Sequence, residues 1–338
     1  MMTFAIFGIL AVLTLGWFAL PFLPAFFELR RKDATVALTI PAEHNGDVRH
    51  FARRFRQYVD AESQLPNLGT TAELPTASGT PLRVFVAASP LVVDEPWVSP
   101  GDIYATRSVR ARDRFVVRGL LAEEDIVLAA RSEVTRWVHS IGNLEIGASC
   151  ILHGRASADG KLRVGCDTTF EWLYAPCIEF GSLEDVSNAV DSNESSAIRV
   201  PLRRSRRYVR GNFELRPDAV LHDDLVVTGA LRVAAGARIG ASLKSHGPMQ
   251  IENDAWIFGS VISEAEITLA EGCLVSGIIV AEETVRIASW TRIGTPKTPS
   301  SVNAPEIRIA EGCVVHGTVW ARRAGRVSPS VPAIIGVT

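Results

Sequence analysis

The chain has 338 residues and a formal net charge of −2, with 47% hydrophobic and only 7% aromatic residues. That apolar content excludes wholesale disorder, and the near-neutral balance argues against a general nucleic-acid binder. Five cysteines (Cys150, Cys166, Cys177, Cys273 and Cys313) never form a C-x-x-C pair, so neither a disulfide framework nor a cysteine zinc site is expected.

Phe4 to Phe27 is an unbroken run without a charge. A helix needs about 20 apolar residues to cross a bilayer core, so the run is predicted to span, with Phe4, Trp17 and Phe27 along it. A secretory signal would have a shorter apolar region, about 7–15 residues, between a basic start and a small-residue cleavage site. Neither flank is present. Arg30, Arg31 and Lys32 follow at once, and the positive-inside rule then places the rest of the chain in the cytoplasm. The lack of disulfide logic agrees with a reducing compartment. Residues 1–33 are read as a single-pass transmembrane anchor.

Residues 34–81 read as a juxtamembrane amphipathic helix and a linker. Between Asp47 and Asp60, the residues Val48, Phe51, Phe55 and Tyr58 fall at helical spacing among Arg49, Arg53, Arg54 and Arg56. Such a helix suits either an anionic lipid interface or a cover that sets its aromatic face against the soluble domain. Leu65 to Pro81 is rich in Pro, Thr, Ser and Gly and reads as the linker. Residues 82–108 contain LRVFVAASPLVV and are expected to form cap strands.

The remainder repeats. Units begin at 126, 144 and 162, and again at 213, 231, 249, 267 and 285, each 18 residues apart. A further unit at 307 follows a four-residue insertion, and a shorter one starts at Val109. Between 162 and 213 one period is expected to carry an insertion of about 33 residues. The first, third and ninth positions of all nine full units are apolar. The ninth positions of the later units include Ile239, Ile257, Val275, Ile293 and Val315, which are the predicted core. At the chain's apolar fraction, chance would give this on the order of once in 10⁹ before allowing for choice of register, so the period is taken as real. Alternation in short runs means strands with one face inward. Small residues at the eleventh position (Gly154, Ala241, Gly259, Gly277, Gly317) suit tight corners. The predicted fold is all-β, a parallel β-helix with about 18 residues per coil, preceded by one N-terminal transmembrane helix. Its parts are a first block at 109–180, a polar and basic insertion at 181–212, a second block at 213–322 and a tail at 323–338.

The segments GALRVAAGARIGASL, AEITLAEGCLVSGIIVAEE and PEIRIAEGCVVHGTVWARR resemble the bactofilins, polymer-forming bacterial cytoskeletal proteins. The match covers Phe213 to Arg322, with a looser likeness over Ile126 to Phe180. The resemblance implies a right-handed β-helix that assembles end to end without nucleotide, on the bacterial inner membrane, and recruits cell-envelope enzymes. A homopolymer or homo-oligomer, the inner membrane and envelope-associated proteins are the partners it implies. The chain departs from the family in its two-block split and its long N-terminal region, either of which would cap an end and give a non-polymerising membrane adaptor instead.

The enzymatic alternative is an acyltransferase built on hexapeptide repeats. That pattern needs an aliphatic residue every six positions, whereas here the first and ninth positions are eight apart. A general-base histidine would be required, but His44, His50, His139, His153, His222, His246 and His316 read as surface residues. Glu271-Gly272-Cys273 and Glu311-Gly312-Cys313 recur. They read as small corner cysteines rather than nucleophiles, because the nearby acid opposes thiolate formation. No catalytic role, cofactor or metal is expected. The cluster Arg203, Arg204, Arg206, Arg207 and Arg210 is a candidate contact for an anionic surface, or a solvated loop paired with the acidic stretch before it. No nucleic-acid partner is expected, since only Tyr208 accompanies the cluster as a stacking group.

Overall fold

The computed structural model describes residues 49–62, 83–99, 101–181 and 205–329. Apart from one helix, these residues build a parallel β-solenoid of 28 strands. Within each block an interior strand is bonded to the strand one turn earlier and to the strand one turn later. Leu144 lies beside Ile126 and Leu162. In the second block Phe213, Leu231, Met249, Ile267, Val285 and Ile307 form one stack. Leu221, Ile239, Ile257, Val275, Ile293 and Val315 form another, and from Ile239 onward every member is fully buried.

The corners explain why the period is so regular. Asp218, Gly236, Asp254, Gly272, Trp290 and Gly312 all have left-handed backbone, with φ between 54° and 78°. This conformation favours Gly, Asp and Asn. The residue after this corner turns a small side chain inward. Cys273 Sγ donates to Glu252 O at 3.2 Å, Thr291 Oγ1 to Ala270 O at 3.1 Å and Cys313 Sγ to Ala288 O at 3.0 Å. The Glu-Gly-Cys motif is therefore a corner device: glycine takes the positive φ, and the thiol satisfies a carbonyl of the preceding coil.

Three expectations are corrected. Residues 82–108 are not a cap. Arg83–Ala87 pairs in parallel with Gly101–Ala105, and Leu91–Val93 pairs with Val109–Ala111, so the first block starts at 83. The second block starts at 206, because Arg206–Val209 already pairs with Asp224–Val227, and it runs to Ser328. Finally, the two blocks are not one solenoid interrupted by a loop. The residue stacked on Leu162 is Ile178, not Phe213.

The last coil of the first block, Thr169–Phe180, instead pairs antiparallel with the last coil of the second, Val314–Ser328. Phe170 meets Gly325, Trp172 meets Trp320, Leu173 meets Val319 and Ile178 meets Val315. The backbone bonds Gly312 N to Phe180 O (2.8 Å) and Val327 N to Thr168 O (3.0 Å) cross the junction. Arg326 also pairs with Asp167 at 3.0 Å. The terminal coil of a solenoid leaves a row of unpaired N–H and C=O groups and an open core. Tail-to-tail stacking closes both at once, and a single buried core runs through the two blocks. The connection needed is long, because the chain must return past six layers of the second block, about 24 Å at strand spacing. The stretch between Gly181 and Ser205 is ample for this, since an extended chain covers about 3.3–3.6 Å per residue.

The helix α1, His50–Ala61, packs against the side of the first block. Its inward face is Ala52, Phe55, Arg56 and Val59, whereas Phe51 and Tyr58 are exposed. The face expected from sequence is thus turned by about one position. Arg56 can take an inward place because its guanidinium finds Glu123 while its stem covers apolar surface. Among the described residues no helix is long and apolar enough to cross a membrane. The run holding Phe4, Trp17 and Phe27, and the basic residues Arg30, Arg31 and Lys32, lie outside the described residues.

Candidate interaction surfaces

The two outer ends of the solenoid differ. At the start of the first block the inward side chains are closed off: Phe85, Leu91 and Val93 are at most 4% exposed, and Trp97 packs on Phe115 at 5.7 Å. At the start of the second block, Arg206–Val209, Phe213–Leu215 and Val220–Leu221 are each paired on one side only among the described residues. Val209, Phe213, Ala219 and Leu221 are only partly buried there, and Val220 and Tyr208 are exposed. Asn212, Phe213 and Glu214 also line a trough of about 730 Å³ that continues past Arg232, Gln250 and Thr268.

Arg206, Arg207 and Arg210 lie on this open coil and are exposed. Arg206 and Arg207 belong to a strand rather than a loop. Arg207 stands over the Phe213 ring at 5.5 Å, and Arg206 Nη1 donates to Tyr208 Oη at 3.4 Å. Arg203 and Arg204 lie outside the described residues. Val315 and Val319 are fully buried in the junction, so these two side chains are not free for assembly.

Burial pushes the Cys150 and Cys177 thiols up to about 11, and those of Cys273 and Cys313 up to about 12. The leading cause is loss of solvent rather than the acid of the Glu-Gly-Cys motif; for Cys273 a smaller contribution comes from Asp254. Among the described residues no cluster of His, Cys, Asp and Glu could hold a metal ion.

The histidines do not all face solvent. His153 pairs loosely with Glu133 at 3.4 Å and His246 with Glu264 at 2.7 Å, both exposed. His316 Nδ1 donates across the junction to Pro176 O at 2.8 Å. His139, however, is 2% exposed. It sits beneath α1, beside Trp137, on which Phe55 packs edge-on at 5.2 Å. Its alternation along the strand reads as outward and hence as surface. A helix from much earlier in the chain comes beside it, bringing Arg49 to the Asp159 oxygen that His139 faces, and no local signal announces that approach.

Compared with protein-family models, curated proteins and solved structures, the chain matches none.

Proposed function

We propose that this chain is a membrane-anchored, bactofilin-like scaffold that associates with copies of itself and positions cell-envelope or polysaccharide machinery at the bacterial inner membrane. The observation that carries this reading is the open first coil of the second block. Among the described residues it presents three one-sided strands and a partly exposed core, the features by which one solenoid end adds to another. The tail-to-tail junction within the same chain is a worked case of such an addition. The apolar run Phe4 to Phe27 and the basic residues after it supply the anchor in this reading.

A specific observation favours the restricted form of this function, a non-polymerising adaptor. The junction occupies both C-terminal coils, and at the first coil of the first block the inward side chains are buried, although Arg83–Ala87 and Leu91–Val93 are also paired on one side only among the described residues. One end per chain with a partly exposed core favours a pair, whereas a filament needs two such ends.

Sedimentation of the full-length chain in mild detergent separates the cases. A discrete dimer supports the adaptor, filaments support the polymer, and a monomer at tens of micromolar overturns self-association. The double variant Phe213→Glu, Leu221→Glu is expected to weaken association at least about 30-fold, the effect of losing one interface anchor worth about 2 kcal/mol. A two-fold pair would also bring Arg206, Arg207 and Arg210 of both copies together. Added salt is therefore expected to tighten it by screening.

A further inference from the structure

The cluster beneath α1 plays no part in end-to-end association. His139 Nδ1 lies 2.8 Å from Ser157 Oγ, its registered neighbour one turn on, and Ser157 Oγ lies 3.4 Å from Val138 O. His139 Nε2 has no hydrogen-bond partner and points toward Asp159 Oδ1 at 3.8 Å. That same oxygen is 2.7 Å from Nε of Arg49, the residue that opens α1. Two turns along the helix, Arg56 Nε donates to Glu123 Oε1 at 2.9 Å, which also accepts from Tyr104 Oη at 2.8 Å. The charged groups facing His139 are thus Asp159 and Glu123 from the solenoid and Arg49 and Arg56 from the helix.

The hold of the solenoid on α1 is made by side chains. Among the described residues the helix makes no backbone hydrogen bond to the solenoid. It is held by Ala52 and Phe55 against Leu121 and Trp137, by the two arginine pairs, and by Arg155, which stands over the Phe51 ring at 4.9 Å.

We propose that α1 is a detachable cover over a helix-binding face of the first block, and that protonation of His139 releases it. When the imidazole is neutral the closed site is balanced, with Arg49 on Asp159 and Arg56 on Glu123. An imidazolium formed there would lack water, would stand beside two guanidinium groups, and would compete with Arg49 for Asp159. His139, Ser157, Asp159 and Glu123 are fixed by coils, so the element free to leave is α1. Leaving takes both arginines away, wets the ring, and exposes Leu121 and Trp137, now 0% and 8% exposed.

The sign is consistent. Burial, the largest cause, holds the His139 pKa below its ordinary value. Arg49 and Arg56 act in the same direction, while Asp159 and Glu123 oppose them. Docking therefore expels a proton. It is strongest above the ordinary histidine value of about 6.5 and weakens as pH falls below it.

The test is amide hydrogen exchange of residues 50–61 in the full-length chain in detergent, at pH 7.5 and 5.5, corrected for intrinsic rates. Protection is expected to fall severalfold in the native chain at the lower pH, by at most about tenfold one pH unit below the ordinary histidine value of about 6.5. It should not change in His139→Gln, and the strands around Ile257 should stay protected in both. Equal protection of α1 at both pH values, or the same loss in His139→Gln, overturns the proposal. Should His139→Gln fail to dock α1 at all, a histidine NMR titration decides. The His139 midpoint is expected to lie below the ordinary histidine value of about 6.5 in the native chain and to rise to it in Ala52→Glu, where the wedge lifts α1. An unmoved midpoint would overturn it.

Discussion

Replacing Gly325 with leucine is expected to part the two blocks while leaving each solenoid folded. Gly325 faces Phe170 across the antiparallel junction, and a Cβ at this position would run into the Phe170 ring. Phe170 has little room to yield, being 2% exposed with Phe180 at 6.4 Å. Overpacking a core by even a methylene costs about 1–3 kcal/mol, and leucine adds a whole branched side chain. Phe170, Leu173, Ile178, Val315 and Val319 are all buried at the junction, so a close-packed surround offers no loose neighbour to absorb the strain. The clash lies one pair in from the end of the antiparallel register, and parting the two coils relieves it. Cys313 reports the event: it is fully buried in the last coil, and its carbonyl accepts from Phe180 N at 3.1 Å. In the native chain Cys273 and Cys313 should both resist an alkylating reagent. In Gly325→Leu, Cys313 should react at least about 100-fold faster, because an exposed thiol regains its ordinary pKa, while Cys273, two layers deeper, stays protected. Labelling of neither cysteine would show an intact junction. Labelling of both would show unfolding of the block rather than separation.

How much of this was legible in the sequence depends on whether the signal was local. A solenoid repeats one environment in every coil, so apolar residues recur at fixed positions. The stacks through Leu231 and Ile239 follow from that periodicity alone. The junction uses the same inward pattern. Leu173 and Val319 look like any other core position, and nothing in their neighbourhood distinguishes stacking on the next coil from stacking on one at the far end of the second block. The assumption that consecutive units are neighbours in space therefore fails between the last coil of the first block and the first coil of the second. His139 was missed for a related reason. It lies on the outward alternation of its strand, on the side where α1 packs against Leu121 and Trp137, an approach of long sequence separation. The α1 face was misjudged because apolar spacing favoured Phe51 and Tyr58. In the structure an arginine takes an inward place by pairing with Glu123, and the two aromatics stay exposed. Strand register was thus readable from residue type, whereas coverage of the coils by distant elements was not. The histidine cluster depends on that coverage.

Within the second block, the largest loss of stability is expected from Ile257→Asp. Ile257 is fully buried and stacked between Ile239 and Val275. The substitution removes a packed side chain and leaves a carboxylate without a partner, at a cost on the order of 5 kcal/mol. Each coil touches only its neighbours, so a fault at this layer cuts the two outer layers, Leu221 and Ile239, from those at the junction. The thermal melt by circular dichroism should fall by about 10–20 °C for that part of the signal. The first block should melt near its original midpoint. Val275→Asp should behave alike, and unchanged melts for both variants would refute the stacking register. The pH dependence separates charge from packing. A carboxyl desolvated at this site would have its folded pKa raised above the ordinary value of about 3.9. The native state then binds the proton more readily than the unfolded chain. The penalty is full above the raised pKa and shrinks as pH falls through it. Ile257→Asn, which cannot titrate, should show the same loss at every pH. A penalty for Ile257→Asp that is equally flat would mean that solvent reaches the side chain, and that the interior of this coil is not closed.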